Sequence, residues 1–93
     1  GDIVKIHFSG LISGDGVINL MYATQSAPTL VPIIGTEVHF NEATPVTITL
    51  TGTFTTISSD NTYVCVAVKC NGAGAVNVFG GATIIMEVIR PTP

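Results

Sequence analysis

The stretch PVTITLTGTFTT, residues 45–56, constrains the fold more than any other part of the chain. Val46, Ile48, Leu50, Gly52 and Phe54 alternate strictly with Thr47, Thr49, Thr51, Thr53 and Thr55. A period of two is the period of a strand, because successive side chains leave opposite faces of a sheet. Threonine is β-branched, so it favours extended backbone, and its hydroxyl tolerates water. These residues predict a strand with one dry face and one wet face. Gly52 stands in the dry row and is read as a bulge or bend.

The rest of the chain carries similar signals. Residues 3–8, 17–24, 36–40, 62–70, 75–79 and 82–90 read as strands. Residues 30–34 form a short apolar run cut by Pro32, which places it at a sheet edge. Turn residues separate these runs: Ser13-Gly-Asp-Gly16, Gln25-Ser-Ala-Pro28, Ser58-Ser-Asp-Asn61, Asn71-Gly72 and Gly80-Gly81. No window shows a helical period with caps. About eight short strands with frequent turns predict an all-β fold, an antiparallel β-sandwich of jelly-roll type. In 62–70 the core row is Val64, Val66, Val68 and Cys70.

A chain of 93 residues makes one domain, here the whole of 1–93. It opens Gly1-Asp2 with no initiator Met and no signal peptide. The expectation is therefore a C-terminal piece of a longer protein. Charged residues make up 10% of it, against about 25% in ordinary domains. Mean hydropathy is +0.59. Surface scaling gives roughly 5,000 Å² for a compact chain of this mass. Part of that surface must be covered by a partner, or be coated by Thr, Ser, Asn and Gly.

The first and last strands show where. Val4, Ile6 and Phe8 in one, and Ile84, Met86 and Val88 in the other, make apolar faces for the core. Their second faces carry Ile3, Lys5 and His7, and Ile85, Glu87 and Ile89. If the strands are antiparallel neighbours, Lys5 stands opposite Glu87. These second faces predict an interface between copies of the chain, formed by Ile3, Lys5, Ile85, Glu87 and Ile89, with Tyr63 from the outer row of 62–70.

The chain offers little chemistry. Net charge is −3, with three Lys and Arg in all, so no track for phosphates exists and nucleic acid is not an expected partner. No apolar run reaches the roughly 18 residues of a membrane helix. His7 and His39 are isolated and read as surface or interface residues. Ser9 and Ser13 lack a Gly-x-Ser-x-Gly elbow. GAGAVNVFGG has Asn77 where a dinucleotide loop needs its third glycine. Asp15 and Asp60-Asn61 supply too few oxygens for Ca²⁺. Cys65 and Cys70 would lie about 17 Å apart along one strand, beyond the roughly 7 Å a disulfide allows. They read as free thiols packed like small apolar residues. No enzymatic activity, metal or cofactor is expected.

The segment PVTITLTGTFTTISSDNTYVCVAVKCNGAGAVNVFGGATIIMEVIRP resembles the end of tumour-necrosis-factor-like and complement-globular-head-like jelly rolls. The shared features are a strand, a Ser/Asp/Asn turn, a Val-rich strand, a Gly-rich hairpin and a final strand. Those families are larger and richer in aromatics; viral and phage fibre or spike heads are similar sandwiches and often smaller. The resemblance implies a homotrimer that caps a shaft at the virion surface and attaches to a host cell-surface protein or glycan. Receptor-facing candidates are loop residues: Asp15, Gln25, Asn41, Glu42, Asp60, Asn61 and Asn71. Two other readings remain open. One is a structural capsid-surface decoration protein without receptor binding. The other is a monomeric immunoglobulin-like carbohydrate-binding module, which would want exposed aromatics, although Tyr22 and Tyr63 are the only tyrosines and Trp is absent.

Overall fold

In the computed structural model, which describes residues 1–56, 61–72 and 74–90, the alternating apolar rows become strands of one antiparallel sheet. The strands are β1 (Ile3–Thr24), β2 (Val31–Pro32), β3 (Val38–Thr55), β4 (Thr62–Cys70), β5 (Asn77–Val78) and β6 (Thr83–Ile89). The described residues contain no helix. The all-β, antiparallel expectation holds, with six strands rather than about eight. Every other strand pairs with β1. β3 and then β2 line one edge of it. β6, β5 and β4 follow one another along the other.

One expected turn and one expected break between strands are absent. Ser13-Gly-Asp-Gly16 does not end the strand; β1 continues through it. Residues 36–40 and 45–56 likewise fuse into the single strand β3. The glycines serve an irregularity instead. Ile12 pairs with Val46 but Gly14 pairs with Glu42, so Ala43, Thr44 and Pro45 of β3 stand against Ser13 alone and β3 carries two extra residues at this point. Gly14 has φ +112°, and a side chain there would meet the Ala75 carbonyl at 2.5 Å. A bulge of this kind bends the strands that share it.

The bend makes two layers from one sheet. At about 3.3 Å per residue, a straight β1 would extend for some 70 Å, yet the whole molecule is 50 Å long. The Tyr22 ring stacks on Phe54 with centroids 4.3 Å apart and planes 5° apart. Phe54 is the partner of Val4, so the end of β1 folds back over its beginning. The core lies between the halves: Val4, Ile6, Phe8, Ile12, Ile18, Leu20, Ile33, Phe40, Ile48 and Leu50. Val46, Phe54, Val64 and Val66 pack against it.

On the β3 side the layers close tightly. Gly52 is no bulge, because it continues the register opposite Ile6. It is small because a Cβ there would stand 2.6 Å from Thr36 Cγ2 and 2.8 Å from Ile33 Cγ2. Thr36 also repairs the ladder. β3 stops pairing with β1 at Ile18 and β2 resumes at Met21. Between them the Leu20 N–H donates to Thr36 Oγ1 at 3.0 Å, and that hydroxyl donates to the Ile33 carbonyl at 2.8 Å. Pro32 sits in β2 on the edge, where its missing N–H costs nothing to the sheet.

Two substitutions test this closure. Gly52→Ala should destabilise the fold by about 1–3 kcal/mol through overpacking. Thr36→Val should cost about 1–3 kcal/mol, because it strands the buried Leu20 N–H. Urea unfolding followed by circular dichroism reads both; a midpoint unchanged from the parent chain would contradict the closure described.

Candidate subunit interface

β6 hangs on β1 by a ladder whose rows are clear. Ile3 stands opposite Ile89, Lys5 opposite Glu87 and His7 opposite Ile85. The same three β1 residues face Thr55, Thr53 and Thr51 on β3. The outer face of this layer is thus divided lengthwise. Its β3 side is a threonine ladder, where His7 Nδ1 lies 3.0 Å from Thr51 Oγ1. Its β6 side is apolar around one pair of opposite charges. Ile3, Ile85 and Ile89 are 42%, 62% and 38% exposed.

The inner face of β6 corrects an expectation. Val4, Ile6 and Phe8 are buried as the alternation requires, but Ile84, Met86 and Val88 are not. All seven residues of β6 are exposed. The layers that seal on the β3 side part on this one, leaving an open cleft of about 560 Å³. Met86 and Val88 form one wall, Thr62 and Val64 of β4 the other, with Val4 and Phe54 between. Arg90 Nε lies 3.6 Å from Asp2 Oδ2 at this cleft. Asp2 is held there by paired bonds, its N–H to Thr56 Oγ1 at 2.9 Å and its carbonyl from the Thr56 N–H at 2.8 Å. Thr62 Oγ1, also lining the cleft, is buried without a hydrogen-bond partner among the described residues.

Ile3, Lys5, Ile85, Glu87 and Ile89 therefore share one surface. Tyr63 does not join it; it pairs opposite Ala23 in the other half of the sheet, more than half exposed. The inner residues Ile84, Met86 and Val88 were hidden from sequence reasoning because an apolar row looks the same whether or not a facing layer covers it. Ile34 was missed too. It protrudes almost fully exposed between Ile33 and Gly35, beside the half-exposed Leu30 and Val31.

The expected loop residues fall into two groups, and several are not in loops. Asp15 lies inside β1, and Asn41 and Glu42 inside β3, where they pair with Asp15 and Gly14. Asn71 joins them, its N–H donating to the Asp15 carbonyl at 3.0 Å and Nδ2 to Oδ1 at 3.4 Å. Polar residues were read as turns here because the bend keeps strand pairing while the residues stay wet. The second group is Gln25 with Asn61, joined by backbone and side-chain bonds of 2.9 and 3.0 Å. Asp60 lies outside the described residues.

The remaining candidates do not converge. Among the described residues no three His, Cys, Asp or Glu come together in a metal-binding group. His39 Nε2 lies 3.4 Å from Glu37 Oε1 on open surface. Both cysteines are free, as expected, but Cys70 is exposed rather than packed. It pairs with Gly16 beside the bend, at the end of β4. Tyr22 is occupied by its stack on Phe54, so the tyrosine open to solvent is Tyr63. Compared with family models, curated proteins and solved structures, the chain matches none.

Proposed function

We propose that this domain is the head of a viral or phage fibre or spike, which associates as a homotrimer and carries attachment to a host cell-surface protein or glycan. One observation supports the self-association above all: β6 is apolar on both faces and exposed along its whole length. Moving an isoleucine side chain fully out of water contributes roughly 1.5–3 kcal/mol, so these residues favour a partner strongly. The threefold arrangement and the virion setting come from the resemblance of residues 45–91 to jelly-roll heads. The reading assigns the domain no catalysis, no cofactor and no nucleic-acid partner. Attachment falls to the wet residues of the bend, Asp15, Asn41, Glu42 and Asn71, and to Gln25 and Asn61.

A structural decoration protein is favoured by a different observation. Asp15 with Asn71, and Gln25 with Asn61, spend their polar groups on each other. Such pairs hold loops in place and leave fewer groups for a ligand. A glycan array and a cell-binding assay separate the two readings. Attachment should weaken when Asn41 and Glu42 become alanine, whereas a decoration protein binds nothing in either assay.

Light scattering on a size-exclusion column should give a mass of three chains of 9.6 kDa. The double substitution Ile85→Asp, Ile89→Asp should reduce it to one chain with an unchanged circular dichroism spectrum. A parent chain that elutes as a single copy at high micromolar concentration would refute the self-association.

A further inference from the structure

We infer that the copies join head to tail, with the outer isoleucine patch of one seated in the β6–β4 cleft of the next, closing a small ring. This contact rests on the self-association proposed above and specifies how it is made.

The chain carries two unlike apolar surfaces. One is the outer patch of Ile3, Ile85 and Ile89; the other is concave, walled by Met86, Val88 and Val64. Pairing two outer patches about a twofold axis would leave the clefts open. Seating a patch in a cleft covers both faces of β6 with a single kind of contact. Unlike surfaces that meet head to tail form a ring when the rotation closes. Here the two surfaces lie on opposite faces of one strand, so each copy would meet two neighbours through its β6.

The charges fit. The outer patch presents Lys5 opposite Glu87. The cleft presents Asp2 beside Arg90. Seated head to tail, Lys5 can meet Asp2 of the next copy while Glu87 meets its Arg90. Opposite charges placed this way fix register and orientation more than they add affinity. The area fits as well. The single chain exposes 5872 Å², several hundred Å² above the roughly 5,000 Å² of a compact monomer of its mass. A standard interface takes about 800 Å² from each partner, so this excess matches one of the two faces that each copy gives to a ring.

Cross-linking tests the contact. In a chain with Cys65→Ser and Cys70→Ser, Ile85→Cys marks the patch and Val88→Cys marks the cleft. Both positions are exposed, so neither change disturbs the core. The two variants, made with tags of different size and co-expressed, are treated with a short bismaleimide. Head-to-tail seating predicts a covalent pair containing one of each, at least tenfold above the pairs from either variant alone. Equal pairing of Ile85→Cys with itself, or no mixed pair from a protein that scatters as an oligomer, overturns this contact and leaves self-association standing. A protein that scatters as a monomer before cross-linking overturns both. A mass that climbs steadily with concentration overturns the closed ring.

Discussion

Among the described residues every hydrogen-bonded ladder has β1 as one of its two strands. That constraint organises the rest. A strand has two edges, and those of β1 are shared among five partners laid end to end, so its length sets the size of the sheet. Because the strand bends at Gly14, the two ends of the sheet come to face each other and a core forms between them. The domain thus obtains two layers without a second sheet. Its core is a column of side chains from alternate positions of β1, closed by Ile33, Phe40, Ile48 and Leu50.

The two sides of this folded sheet are not equivalent. On the β3 side, small and polar devices draw the layers together: a glycine where two side chains press in, and a threonine hydroxyl standing in for a missing strand. On the β6 side no such device operates, and the walls stay apart. A folded sheet closed on one flank and open on the other has an apolar interior that reaches solvent. The terminal strand marks that boundary, one face turned to the gap and the other to the outside.

Much of the architecture was legible in the residues because side-chain alternation is a local property. The threonine row of 45–56 and the burial of Val4, Ile6 and Phe8 follow from period two alone. The opposition of Lys5 and Glu87 followed once the terminal strands were taken as neighbours, and the ladder has that register. What was not legible depends on distant segments. Ser13-Gly-Asp-Gly16 has the composition of a turn, yet its role is set by the crowding of Ala75 against Gly14. Gly52 reads as a bend until Ile33 and Thr36 are seen above it. The exposure of Ile84, Met86 and Val88 depends on how far β4 stands from them, and no pattern within β6 encodes that distance.

The pairing of Ile3 with Ile89 has a consequence for how the chain is made. Within this domain β1 is made before every strand that pairs with it, yet one of its edges waits for β6, the last of them. Contacts so remote in sequence slow folding, because loop closure must come before the gain. Until β6 emerges, β1 offers Val4, Ile6 and Phe8 and an open row of amides to whatever is nearby. A chain of this design exposes apolar rows and an open strand edge while it waits, and copies growing side by side have every opportunity to meet before each domain is finished.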